Sequence, residues 1–394
     1  MNTASAVDTT GLNAAACAVV DPSRARLLGP KGWTAVAAAL ITVLVLVPVL
    51  NGVVPPGHAL HLSDYAVALI GKIMCYAICA LAMDLIWGYT GILSLGHGLF
   101  FALGGYAMGM YLMRQIGRDG QYQADLPDFM VFLDWKALPW HWTFSDSFVF
   151  QALMVLLVPG LLAYVFGWFA FRSRIKGVYF SIITQALTFA AMLLFFRNET
   201  GFGGNNGFTD FKRIWGIPLQ QTSTRLALFA LTGSVLVGFF LLSRWIVVSK
   251  FGRVLQAIRD AESRVMFSGY DPVSYKLAIW TLSAVMCGVA GALYVPQVGI
   301  INPSEMSAAA SIEMAIWAAV GGRGTLIGPI VGAFFVNGAK SWFTQVFPEY
   351  WLYFLGTLFI LVTLVLPGGL VSLVGTVKAK WSGRAAAAKR GPRT

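Results

Sequence analysis

Tyr65-Ala-Val-Ala-Leu-Ile-Gly-Lys72-Ile-Met-Cys75-Tyr-Ala-Ile-Cys79-Ala-Leu-Ala-Met-Asp84-Leu-Ile-Trp87 is the run that decides the fold. A helix of about 20 mostly apolar residues crosses the hydrocarbon core of a bilayer, and this run has that length with only Lys72 and Asp84 charged. Nine further stretches read the same way: Trp33–Val54, Leu99–Leu112, Phe148–Phe171, Val178–Phe196, Leu226–Val248, Leu277–Val298, Ala308–Val320, Leu326–Phe343 and Trp351–Val374. Leu99–Leu112, Ala308–Val320 and Leu326–Phe343 are short or glycine-broken. Broken membrane helices survive only where the loosened backbone faces protein or a water-filled path, which favours a transporter or channel over a simple anchor. The composition agrees: of 394 residues, 57% are apolar and 11% charged, against about 25% charged in soluble domains. That excludes a soluble enzyme, a disordered chain and a nucleic-acid-binding domain. The expected fold is an all-α integral membrane protein with about ten transmembrane helices, some broken or short.

Orientation follows from the basic residues, which collect on the cytoplasmic side of membrane proteins. With residues 1–32 placed inside as an N-terminal tail, 19 of the 28 Lys and Arg fall in inside segments and 7 outside, while Lys72 and Lys340 lie within spans. Both termini are then cytoplasmic, and the net charge of +11 needs no nucleic-acid partner. The membrane domain runs over 33–375, with an outside cap at 113–147 rich in Asp, Trp and Pro, an inside loop at 249–276, and a basic tail at 376–394. The cysteines (Cys17, Cys75, Cys79 and Cys287) form no disulfide framework; three sit in apolar runs as packing residues. Gly88-x-x-Gly91-x-Leu93 recurs as Gly321-x-x-Gly324-x-Leu326, and Gly98-x-Phe-Phe-x-x-Gly104 as Gly332-x-Phe-Phe-x-x-Gly338, the kind of echo left by duplicated transporter halves.

Catalytic and metal-binding patterns are missing from the chain, including a phosphate-cradling G-x-x-x-x-G-K-[ST] loop, so no cofactor is expected here. The inside segment Gly252-Arg-Val-Leu-Gln-Ala-Ile-Arg259-Asp260-Ala-Glu262-Ser-Arg-Val-Met-Phe-Ser-Gly269-Tyr-Asp271-Pro272 is more telling. Val254, Leu255, Ile258, Val265 and Met266 repeat at helical spacing, and Glu262 falls on their stripe. Gly269 and Asp271-Pro272 then stop the helix. Two readings stand: a helix lying on the bilayer surface, or a docking helix whose apolar face and carboxylate fit a cytoplasmic partner.

This loop resembles the coupling loop through which ABC-importer permeases engage their ATPases. Gly88-Tyr-Thr-Gly-Ile-Leu-Ser-Leu-Gly-His-Gly-Leu-Phe-Phe and Gly321-Gly-Arg-Gly-Thr-Leu-Ile-Gly-Pro329-Ile-Val-Gly-Ala are similar to signature segments of the branched-chain amino-acid and urea permease family (LivM-like). The run from Val178 to Asp210 looks most like the urea-importer branch. The Arg259–Ser263 wording departs from the amino-acid branch. The resemblance implies the permease subunit of an ATP-driven importer for urea, otherwise for branched-chain amino acids or short amides, in a bacterial inner membrane. With it would go a second homologous permease, two ATPase subunits carrying ATP-Mg and an extracytoplasmic solute-binding protein. It also implies ATPase coupling through Arg259, Asp260, Glu262 and Gly269.

Other residues are candidates on chemical grounds. Lys72 and Glu313 are candidates for the translocation path. Lys72 lies inside its span, where an unpaired charge costs about 2.5–3.5 kcal/mol on insertion scales, so it is expected to face a partner or water. Glu313, at comparable depth, is the candidate partner, with a plain structural ion pair as the alternative. Thr200, Gly203, Gly204, Asn205 and Asn206 form a loop whose amides and bared backbone offer donors and acceptors to a small neutral solute such as urea, or simply a turn. Gly105, Gly109, Gly328 and Gly332 allow close helix packing. A passive solute channel is the rival reading from another class.

Overall fold

The computed structural model describes residues 27–55, 57–58, 60–175, 177–365 and 368–372. The tail at 376–394, most of the tail at 1–32, Cys17 and the end of the last span at Val374 lie outside these residues. Each expected span is a helix: α1 (Pro30–Gly52, with a π turn at Thr42–Leu46), α2 (Asp64–Thr90), α3 (His97–Arg114), α4 (Phe148–Arg172), α5 (Val178–Phe196), α6 (Thr222–Val248), α8 (Pro272–Val298), α9 (Ala308–Gly321), α10 (Ile327–Val346) and α11 (Trp351–Val365). The inside loop forms a further helix, α7 (Lys250–Phe267). Six of them (α1, α2, α4, α5, α6 and α8) are long and apolar enough to cross a membrane.

Local chemistry sets the boundaries. Ser63 Oγ accepts from the Ala66 amide to start α2, and Asp271 accepts from the Val273 and Ser274 amides, with Pro272 behind it, to start α8. Such caps satisfy the orphan N–H groups of a first turn. Gly91 and Gly299, at φ 75° and 82°, end the same two helices in the left-handed conformation that glycine accepts without strain. Centrality follows from burial: 67% of the apolar window of α2 and of α8 is covered, against 6% for α1. Around this pair, α8 packs on α3 and α4, while α2 packs on α10 and α6.

Two helices begin inside the bundle. His97, the first residue of α3, meets Ser283 Oγ at 2.7 Å, and that hydroxyl donates to Ala82 O at 2.7 Å. Ser283 lies eleven residues into α8, about 16 Å from its start. The Gly98 amide donates to Ser311 Oγ (3.1 Å) at the head of α9, so α9 starts at the same depth. The segment 299–307 therefore descends from the end of α8 into the interior, pairing Ile300–Ile301 with Phe208–Thr209 on the way.

Interrupted backbone inside a membrane must find partners within the protein. Along the break at 91–96, α5 supplies them: Ser181 Oγ donates to Leu93 O (2.7 Å) and Thr184 Oγ1 accepts from the Leu95 amide (3.1 Å). The repeated motifs meet in space, with Gly88 seated against the backbone of Gly324. Their flanking helices are not packed alike, however: α9 and α10 form a close hairpin, while α2 and α3 barely touch.

Glycines make α3 and α8 touch backbone to backbone. A methyl group on Gly104 would overlap the Gly288 carbonyl, and one on Gly291 the Phe101 carbonyl. Gly105 and Gly109 face the Ile301 side chain, and Gly328 and Gly332 face the backbone of α9 and its following loop, so all four candidate packing glycines are used within this chain. Gly291→Val should separate α3 from α8 and abolish the monodisperse species seen by size-exclusion chromatography in detergent. Gly105→Ala, opposite a side chain that can shift, should retain it.

Candidate functional site

Three groups of polar residues stand out, at different depths. The innermost surrounds Lys72. Its ammonium lies over the rings of Tyr76 and Tyr294, 5.7 and 5.9 Å from their centroids. Tyr76 Oη and Tyr294 Oη are 3.5 Å apart, and Tyr294 Oη donates to Glu305 Oε1 at 3.3 Å. Sequence reading gave Glu305 no role; it lies in Asn302-Pro-Ser-Glu305-Met-Ser, between two apolar runs, and the descent of 299–307 carries it inward.

The expected Lys72–Glu313 pair is not formed. Glu313 receives hydrogen bonds from Lys340 Nζ at 2.9 and 3.0 Å. The cause is register: α9 and α10 run antiparallel, with Gly332 against Trp317 O and Gly328 against Gly321, which brings 313 and 340 level. Helix adjacency of this kind is not readable from spacing along the chain.

The second group lies at the α7 end. Asp84, fully buried, accepts from the Gly324 amide (2.6 Å) and the Leu326 amide (3.2 Å), while Tyr89 Oη donates to Gly324 O (2.9 Å). One carboxylate thus caps the turn that leads into α10. Arg259 donates to Gly88 O (2.8 Å) and to Asp260 (2.9 Å), tying α7 to the end of α2, and Arg323 stacks on Trp87 at 4.9 Å. Burial and the nearby Arg259 guanidinium both lower the Arg323 pKa. Glu262 turns inward onto Lys276 of α8 at 2.6 Å, with 20% and 9% of the two side chains exposed. The helix around it is not continuous, as expected from its periodicity, but kinks at Ala261 (φ −158°, ψ 75°). Gly269, at φ 83°, turns the chain from α7 toward α8. On the outer side, Met266 and Phe267 are bare, Phe267 92% exposed. A groove of about 620 Å³ beside them is rimmed by Lys250, Arg253, Arg264 and Asp260.

The third group is the cap at the opposite end. Residues 113–147 fold against the α5–α6 connection: Arg213 pairs with Asp119 (2.6 Å), Trp142 Nε1 donates to Gly201 O (3.0 Å), and His141 stacks on Phe202 (5.6 Å). Burial lowers the His141 pKa. Thr200 donates to Arg197 O (2.6 Å). Gly203 and Gly204 are buried at positive φ, where a methyl group would overlap Gly207 O and Asn198 Oδ1. Their role here is close backbone approach. Asn205 and Asn206 face outward from this turn. At the same end, Asp64, Ala68, Arg225, Gln297, Val298 and Gly299 line a cavity of about 510 Å³, with Arg225 and Asp64 3.2 Å apart.

The Glu313 pairing gives a direct test. Lys340→Met should cost about 1–3 kcal/mol, the penalty for a polar group left without its partner, read as a lower thermal midpoint in detergent. Adding Glu313→Gln should restore most of the loss, whereas Glu313→Gln should not rescue Lys72→Met.

Comparison with known proteins places this architecture. A family model described as the permease component of the branched-chain amino acid transport system matches residues 65–363. The high-affinity branched-chain amino acid transport system permease protein LivM of Escherichia coli K12 is 24% identical over 325 residues, covering 76% of this chain and 68% of that protein. The autoinducer 2 import system permease protein LsrC of Photorhabdus laumondii is 30% identical over 172 residues, 41% of this chain and 52% of its own length. The ribose import permease protein RbsC of Bacillus subtilis is 27% identical over 147 residues, 35% and 42% of the two chains. No solved structure gives a significant match. With its apolar helices this is a multi-pass membrane protein and a transport permease rather than an enzyme, and the chain belongs to the family of permease components of the branched-chain amino acid transport system.

Proposed function

We propose that this chain is one of two homologous permease subunits of an ATP-driven importer in a bacterial inner membrane. In this reading the cap faces outward, α7 and both termini face the cytoplasm, and about ten helices cross the bilayer. Two ATPase subunits carry ATP-Mg on the inner face, and a solute-binding protein delivers cargo to the cap. The observation that carries the reading is α7, which is built inside out for a helix that ends in water. Its carboxylate, Glu262, is turned inward onto Lys276, while Met266 and Phe267 are bare. Large apolar groups left exposed beside a charged rim mark interaction surfaces. An ATPase cleft would cover this one, and Arg259 and Glu262 would transmit its motion through Gly88 and Lys276.

Urea is the proposed cargo, on the resemblance of the 178–210 run to the urea branch. Branched-chain amino acids are the second reading, favoured by the names of the family and of its LivM relatives.

Phe267→Asp should leave the amount of permease in the membrane unchanged while reducing co-purification of the ATPases and uptake by about tenfold, the loss typical of an apolar contact residue at an interface. A passive channel gives the opposite result, with uptake unaffected by this substitution and by ATP depletion. Glu262→Ala is expected to act within the chain as well, by stranding Lys276, and so to lower stability along with coupling.

A further inference from the structure

Lys72, Tyr76, Tyr294 and Glu305 form a cluster that the fold alone does not require. Lys72 makes no ion pair among the described residues and rests on two tyrosine faces. Among the described residues, Glu305 takes a single neutral hydrogen bond at its carboxylate, from Tyr294. The two charges have opposite sign and share Tyr294 as a spacer, with the ammonium over its ring and the carboxylate on its hydroxyl. The cluster is also partly open: Lys72, Tyr76 and Glu305 are each half-buried rather than enclosed. A structural ion pair would close such a gap, as Lys340 and Glu313 do nearby.

Two further features surround the cluster. Trp317 lies tilted against Tyr76, 4.8 Å between ring centroids, and is 2% exposed, yet its Nε1–H has no hydrogen-bond partner among the described residues. The cavity at the cap end includes Ala68 of α2 and Val298 of α8, one helical turn outward from Lys72 and Tyr294 respectively. A solute entering from the cap would meet the cluster next.

We infer that Lys72 and Glu305, spaced by Tyr76 and Tyr294, form a transit station for a small two-ended polar solute, one that offers N–H donors at one end and a carbonyl or carboxylate oxygen at the other. The oxygen end would be held by the Lys72 ammonium, the donor end by the Glu305 carboxylate. The two charges cancel, so the station suits a neutral dipolar molecule or a zwitterion and disfavours a net ion. Urea and an α-amino acid share this chemistry, and the inference rests on the importer reading above.

The test measures uptake of labelled urea and labelled leucine by cells carrying the complete importer. Lys72→Met and Glu305→Gln should each lower uptake at least about tenfold, the scale of an unpaired buried polar contact, with the permease inserted and its ATPases co-purifying. The two solutes separate on Glu305→Gln. An amide still accepts from urea, whose uptake then falls less, but it cannot balance an ammonium group, so leucine uptake falls much further. A milder probe, Ser304→Cys beside Glu305, should react with a small methanethiosulfonate in membrane vesicles, and saturating solute should slow that reaction. Wild-type KM and maximal rate in both charge variants, or labelling indifferent to solute, would overturn the station. Wild-type uptake that survives ATP depletion would instead overturn the importer reading.

Discussion

Inside a bilayer, a peptide N–H or C=O without a partner has no water to turn to, and each such group costs several kcal/mol. The rest of this structure depends on that constraint, because three of its helices are interrupted. The break before α3 borrows hydroxyls from α5. The turn before α10 borrows the carboxylate of Asp84. The descent after α8 begins as a two-residue antiparallel pair with Phe208–Thr209. Each solution ties together segments far apart in sequence, so the bundle cannot lose one partner without exposing backbone elsewhere.

The same economy governs charge. Ionisable groups within a membrane bundle are expensive, and the chain settles its own in more than one way. Lys340 and Glu313 neutralise one another, as do Lys276 and Glu262. Asp84 is satisfied by two amides in place of a cation. Lys72 is left on aromatic faces, a weaker arrangement. That contrast sets the Lys72 region apart from the others, since neighbouring helices show that full pairing was attainable.

Much of the fold was legible in the sequence because a bilayer imposes length and apolarity on any span. The run from Tyr65 to Trp87 announced α2 by those two properties, and the glycine-broken stretches after Trp87 and Val320 marked the interruptions. The helix stop at Gly269 and Asp271-Pro272 was legible too, since these residues act through local conformation. The partners of Glu313 and Glu262 were not, because they depend on which helices lie side by side and at what level. The kink at Ala261 was also invisible, because helical periodicity continues through it. Asp84 did leave a signal, as a lone carboxylate in an apolar run, but its amide donors lie some 240 positions away. Glu305 was hidden by the opposite effect: a polar stretch between apolar runs reads as a surface loop whether or not it folds back inside.

The glycine contacts have a mechanical consequence. Side chains between two helices act as bearings, because rotamers can change while the helices slide. Where Gly104 meets Gly288 and Gly291 meets Phe101, no such layer exists, and α3 and α8 are geared together as one stiff body. The α9–α10 hairpin, closed by Gly321, Gly328 and Gly332, is a second. Between the two bodies runs the extended segment 299–307, which has no helix of its own to resist bending beyond a single turn at Pro303–Met306. A shift of one body against the other would load that segment, next to Glu305.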